Sequence, residues 1–337
     1  MSAPVITFFN NKGGVGKTSL VYHIAWMLAD LGHRVVVADL DPQANLTTAF
    51  LTEEEIERLW SGAGPGRTVW GTIRPFQEGE GGLGSSTLTT TGDDRLALLA
   101  GDLELSAFED DLSASWPKCL DGDPRAFRII SAFWSVLQSA ASQHAAEYVL
   151  VDVGPSLGAI NRAALVASDF VVIPVAPDLF SMQGLRNLGP ALQKWRTGWR
   201  QRLAIDLPGR IALPQGRMDA LGYVVLQHGV RLNRPVKAYQ RWIQQIPDVF
   251  RTSVLGSQDH SPAPAIDADP FCLGQLKHYR SLVPLAQEAR KPIFFLSHAD
   301  GAYGGHLQAA RDAHGDFAVM AERIMERISE AVEPRST

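Results

Sequence analysis

A mostly parallel α/β sheet with helices on both faces is the fold this sequence predicts, and three observations predict it. Short apolar runs at Val5 to Phe9, Arg34 to Asp39, Tyr148 to Asp152, Phe170 to Val175 and Leu221 to Gln227 have the character of strands buried on both faces. Segments with apolar residues at helical spacing lie between these runs. A glycine-rich turn, NNKGGVGKTS, joins the first run to the first helical pattern, so the chain opens strand, loop, helix, strand.

In the first helix Leu20, Val21, Ile24, Ala25 and Leu28 recur at helical spacing until Gly32, a helix stop. The next run, RVVVAD, reads as a central strand, and the later runs continue the alternation of strand and helix. No internal repeat is evident. Stretches near 61–94, rich in Gly, Ser and Thr, near 205–220, and near 252–269, rich in Ser, Pro and Asp, read as surface elaborations. The expectation is a single domain over 1–337 that ends in a helix near 315–333.

Composition narrows the function classes. The 337 residues are 45% hydrophobic and 20% charged, which excludes disorder along the whole length. A net charge of −5 gives no global sign of nucleic-acid binding, so any DNA contact must come from a local patch. Cys119 and Cys272 are too few for a disulfide framework, and the nine histidines show no ligand grouping. With neither a leader pattern nor an apolar run of about 18 residues, a cytoplasmic protein is expected.

The segment from Asn11 to Thr18 carries the chemistry. Its glycines let successive N–H groups converge on a phosphate, and the following helix adds the positive end of its dipole. The expected nucleotide-binding residues are Lys12, Gly13, Gly14, Val15, Gly16, Lys17, Thr18 and Ser19. Lys17 would bridge the β- and γ-phosphates, and the Thr18 hydroxyl would ligate Mg²⁺. A plain Gly-rich turn is the bland alternative, disfavoured because the flanking strand and helix stand where the motif needs them.

The strict pattern GxxxxGK[ST] would place Gly at position 11, but Asn11 stands there and a second lysine, Lys12, follows. KGGVGKT is the deviant Walker A form of the P-loop, and the sequence resembles the ParA/MinD superfamily of ATPases, closest to the ParA branch of partition ATPases. The resemblance implies that Lys12 crosses a dimer interface to the nucleotide of the partner subunit. DLDPQANLT, Asp39 to Thr47, is similar to the family's second motif, which gives Asp41 the role of organising Mg²⁺ and the attacking water. VLVDVGPSLG, Val149 to Gly158, resembles Walker B and switch II, which assigns Asp152 to Mg²⁺ and Gly154, Pro155 and Ser156 to the switch. Likeness continues through Val171 to Leu185 and, faintly, Leu96 to Asp110. Departures are Ala44 where Gly is usual, Gly154 where Pro is common, and Gln227 where an Asn often reads adenine.

The resemblance therefore implies slow Mg²⁺-dependent hydrolysis of ATP to ADP and phosphate by Lys12, Lys17 and Asp41, with ATP favouring a sandwich homodimer. Family members bind non-specific DNA through basic residues in the last third of the chain. Here twelve Lys or Arg lie between Arg186 and Arg251 against Asp206, Asp219 and Asp248, a local balance of +9 that leaves −14 elsewhere. Arg231, Arg234, Lys237 and Arg241 are three or four residues apart, so a helix could place several on one face. Lys277 and Arg280 are further candidates, in a segment ending in KPI. A solvated basic face or a docking site for an acidic protein is the alternative.

Two functions stand against each other. One is a partition or positioning ATPase that binds nucleoid DNA in its ATP state and answers to a stimulating partner protein. The other is an ATP-dependent protein-recruitment switch without DNA, serving polar placement, envelope synthesis or phage defence. A membrane role fits poorly, because Phe317 to Val332 carries three Glu and no lysine, so core docking rather than stable insertion is expected. Neither cysteine follows a switch motif, which sets aside relatives with a metal cluster between subunits. Lys12 and DPQANLT argue against a small-molecule kinase.

Overall fold

The computed structural model describes residues 2–61, 66–79, 82–207, 211–226, 236–259, 261–277, 279 and 281–332. In chain order its elements are β1 Val5–Phe8, α1 Lys17–Asp30, β2 Val35–Asp39, α2 Asn45–Phe50, α3 Glu53–Ser61, α4 Val69–Gln77, β3 Thr89–Thr90, β4 Leu96–Leu99, α5 Phe108–Lys118, α6 Pro124–Ile130, α7 Ala132–His144, β5 Tyr148–Asp152, α8 Ala159–Val166, β6 Phe170–Val175, α9 Leu179–Leu203, β7 Asp219–Leu226, α10 Val236–Val249, β8 Cys272–Leu276, α11 Leu282–Ala289 and α12 Gly305–Val332. They build one eight-stranded sheet in the order β3-β4-β2-β5-β1-β6-β7-β8. Only β3 runs antiparallel to its neighbour.

The apolar runs form strands because both of their faces are covered. Along β2, Val35 and Val37 point into one core while Val36 and Ala38 point into the other. The same alternation holds in β5 and β6, as the period of two requires. One layer contains α1, α2, α3, α11 and α12, and the other contains α4 to α10. The fold is thus the parallel sheet with helices on both faces that the sequence predicts.

Register positions the site. Phe8 of β1 and Asp39 of β2 both lie opposite Asp152 of β5, so the loop after β1 and two aspartates meet at the carboxyl ends of three central strands. Ligands of open α/β sheets gather at this end.

The structure adds elements that the sequence pattern missed. The strands β4 and β8 extend the sheet on either side. Within 61–94, α4 buries Val69 and Ile73 completely, so part of this stretch is core rather than surface. Next to 205–220, the Trp199 indole N–H donates to the Pro214 carbonyl at 2.9 Å. In 252–269, Ile266 is buried against the α4–α10 layer. The last helix begins at Gly305, ten residues before the expected start, and buries Phe317, Met320, Ala321, Ile324 and Ile328 against the sheet. Its apolar stripe is therefore already occupied, and among the described residues no helix is long and apolar enough to cross a membrane.

Candidate nucleotide site

The turn between β1 and α1 has the glycine backbone shape that a phosphate cradle needs. Gly14 and Gly16 take φ of 70° and 86°, left-handed values that favour glycine. A Cβ on Gly14 would meet nothing within 4 Å, so open space lies over the loop. Asn10, buried at the end of β1, fixes the loop from below, with Nδ2 donating to the Pro174 carbonyl at 2.5 Å and Oδ1 accepting from the Lys12 N–H at 2.9 Å.

Lys17 and Thr18, the first residues of α1, both reach Asp152. The Lys17 ammonium is ion-paired with Oδ1, and the Thr18 hydroxyl donates to Oδ2 at 2.6 Å. Burial pushes the Asp152 carboxyl up from its ordinary value, while Lys17 and Thr18 oppose that push. Asp39 is deeper still. Burial first, then the charge of Asp152, raise it to about 7, although it accepts from the Thr47 N–H and hydroxyl, each at 2.8 Å. Thr47 in turn accepts from the Gly101 N–H at 2.7 Å, and a Cβ at Gly101 would lie 2.9 Å from Asp39 Cγ.

Asp41, only 5% exposed, accepts from the Gln43 N–H at 3.0 Å and faces Gly154, whose added Cβ would lie 3.3 Å from Asp41 Oδ1. Pro155 lies beside the phosphate loop, 3.9 Å from a Cβ placed on Gly13. Ala44, where the sequence departs from glycine, holds φ of 52°, so the turn keeps its left-handed shape despite the side chain. Three carboxylates, a hydroxyl and a glycine cradle thus converge. As they stand, with Asp152 paired to Lys17, the described residues form no group of three acids, histidines or cysteines arranged to hold a metal ion.

Lys12 points away from this cluster. Its ammonium is 2.5 Å from Asp178 Oδ2, 3.4 Å from Ser181 Oγ and 6.0 Å from the ring centre of Phe180, which is 72% exposed. Partial burial alone would raise the Asp178 carboxyl, but the bonds from Lys12 and the Ser181 N–H outweigh it and hold it low. Sequence reasoning missed Asp178, although the pattern Asp178, Ser181 at the head of α9 is a helix-start signal.

A cavity of about 500 Å³ opens from Thr18 and Ser19. Tyr22 and His23 of α1, Asn45 and Thr48 of α2, and Val283, Gln287 and Arg290 at α11 complete its wall.

The candidate basic surface is less concentrated in space than in sequence. Arg202 is buried, lies 3.9 Å over the Trp116 ring and donates to the carbonyls of Trp116 and Gly198. Arg196 donates to the Met218 carbonyl at 2.5 Å, and Arg217 pairs with Asp219 at 3.1 Å. Arg241 in α10 and Lys277 after β8 are exposed. Lys237 belongs to α10, while Arg231, Arg234, Arg280 and Gln227 lie outside the described residues.

A family model for the AAA domain matches residues 3–205, more than half of the chain. The chain is a member of the ParA/MinD superfamily. This superfamily chain is 30% identical over 202 residues to the chromosome-partitioning ATPase Soj of Thermus thermophilus, which covers 59% of it and 66% of Soj. The chromosome partitioning protein ParA of Caulobacter vibrioides is 29% identical over 203 residues, 60% of this chain and 67% of that one. Across the curated relatives the match spans from 49% to 72% of their own length. A Corynebacterium diphtheriae crystal structure shares the fold with a TM-score of 0.69 at 24% identity, over 97% of this chain and 99% of that one. Cyanothece McdA, solved with ATP, shares it at 0.63 and 14% identity, over 97% of each chain.

Proposed function

We propose that this ParA/MinD-superfamily chain is a Mg²⁺-dependent ATPase that works as a dimerisation switch and, in its ATP state, binds non-specific DNA to partition or position a cargo. Lys12 is the observation that carries the reading. A second lysine on the phosphate loop that pairs with Asp178 instead of with Asp152 supports a second task beyond its own site. In the switch, it would exchange Asp178 for the nucleotide of the partner subunit.

The loop N–H groups from Lys12 to Ser19 would hold the phosphates, and Lys17 would turn from Asp152 to the β- and γ-oxygens. Thr18, Asp41 and Asp152 would hold Mg²⁺, which when bound neutralises charge on the phosphate oxygens. Asp41 would also place the attacking water, with Gly154, Pro155 and Ser156 sensing the γ-phosphate. The cavity against α11 has room for the adenosine moiety. Because such a site acts by position and charge, slow turnover follows until a stimulating partner completes it.

A second reading, recruitment of a protein without DNA, draws support from Arg196, Arg202 and Arg217. Arg202 is buried, and Arg196 and Arg217 are turned toward the Met218 carbonyl and Asp219, which lowers the charge left to meet DNA.

Sedimentation velocity with Mg-ATP and Mg-ADP tests the switch. The unsubstituted chain should dimerise with ATP only, Lys17→Ala with neither, and Lys12→Ala should bind nucleotide yet stay monomeric. Asp41→Ala should bind ATP and accumulate as dimer. Unchanged ATP-driven dimerisation of Lys12→Ala would refute the trans contact.

A further inference from the structure

The loop that carries Gly154, Pro155 and Ser156 is held from outside at both ends. At its start Asp152 is joined to Lys17 and Thr18. At its end α8 begins behind Gly158, which has no side chain to cap the helix. Glu109 of α5, fifty residues earlier, fills that position. The Ala159 N–H donates to Oε1 at 2.6 Å and the Ile160 N–H to Oε2 at 2.8 Å. One carboxylate oxygen on each orphan N–H of a helix start gives charge-assisted bonds at the favourable end of the dipole.

The fit depends on neighbouring residues. A Cβ on Gly158 would lie 2.8 Å from Glu109 Oε1, so this glycine admits the carboxylate. From the first turn of α8, Asn161, 1% exposed, donates back to the carbonyls of Gly154 at 2.7 Å and Ser156 at 2.6 Å. Arg162 adds a second tie between the helices through the Leu112 carbonyl at 3.3 Å. Thus α8 is fastened to α5 on one side and grips the switch loop on the other. Gly154 sits against Asp41, so a small displacement of α8 changes the space beside that carboxylate.

We propose that Glu109 is a positioning residue for phosphoryl transfer: through α8 and Asn161 it fixes residues 154–156 against Asp41, where the attacking water is placed. This rests on the ATPase reading above. Glu109 touches neither the phosphate loop nor the wall of the cavity, so it governs turnover and leaves nucleotide affinity alone.

Steady-state ATP hydrolysis by the full chain tests it, with nucleotide-binding stoichiometry and thermal midpoint measured on the same samples. Glu109→Gln keeps the shape but turns an NH₂ toward one of the two N–H donors. Its kcat should fall about tenfold or more with KM for Mg-ATP within about twofold and full binding stoichiometry. Gly158→Ala, which crowds the carboxylate with no change of charge, should reproduce the split. An unchanged kcat with a lowered thermal midpoint would make the cap purely structural and overturn the proposal, as would a loss of kcat matched by loss of binding stoichiometry. Wild-type chain that binds Mg-ATP without turnover would overturn the ATPase reading and the positioning role together. Turnover by wild type with equal kcat in Glu109→Gln would overturn the positioning role alone.

Discussion

His23 shows how one side chain links the nucleotide end of the molecule to its C-terminal layer. Its Nδ1 lies 2.6 Å from the Ser19 carbonyl and its Nε2 3.2 Å from the Ile293 N–H, so the neutral ring donates at one nitrogen and accepts at the other. The ring stacks on Phe317 of α12 at 5.0 Å. Burial pushes its pKa down to about 4, although the Ser19 carbonyl opposes the shift. Well above pH 7 neither folded nor unfolded chain holds the proton, and the residue adds no slope. Below about pH 6.5 the unfolded chain takes it up and the folded chain refuses it, so stability falls with pH until about 4, by roughly 3 kcal/mol in all. Asp39, raised to about 7, acts in the opposite sense, so the comparison must be between variants. Urea midpoints at pH 7 and pH 5 should show wild type losing roughly 2 kcal/mol more than His23→Gln. Equal losses would mean that His23 titrates normally.

At the scale of elements, the long helix α9 depends on a glycine for its packing. A Cβ at Gly189 would fall 1.7 Å from the Ser253 carbonyl oxygen, a backbone atom that cannot swing aside. Gly189→Ala should therefore cost about 1 to 3 kcal/mol, read as a lower denaturation midpoint with unchanged slope. A midpoint equal to wild type would show that α9 and residues 250–254 do not pack this tightly. Sequence legibility divides along similar lines. The strands β5 and β6 are readable to the residue because both faces are buried and the apolar run is continuous. In contrast, β8 reads CLGQL, where Gly274 and Gln275 interrupt the run, since Gly274 makes room for Met320. The signal for α4 is present in Val69, Ile73 and Phe76, but Gly71 and Pro75 mask it. The phosphate loop, Asp41 and Asp152 are legible from local motifs. The Lys12–Asp178 pair and the Glu109 cap are not, because their partners stand 166 and 50 residues apart and only the fold brings them together.

For the whole molecule, the distribution of charge decides between the two functional readings. A chain of net charge −5 becomes more acidic as a dimer, and its long-range field repels DNA. Binding could then arise only from a short-range basic surface, and Arg196, Arg202 and Arg217 are already committed to internal partners. Arg241 and Lys277 remain exposed. If they reach phosphates, affinity for a non-specific duplex should fall steeply with salt, and Arg241→Ala or Lys277→Ala should each lower the log–log salt slope by about one for every phosphate no longer neutralised. The proposed ATP dimer would double the basic surface offered to one duplex, so on that reading binding should emerge with Mg-ATP and vanish with Mg-ADP. Lys12→Ala should lose it while retaining nucleotide. Fluorescence anisotropy over a salt series measures all of these in one format. Salt-sensitive binding confined to the ATP state would place the DNA surface on the dimer, whereas its absence from a chain that dimerises with ATP would leave protein recruitment as the function.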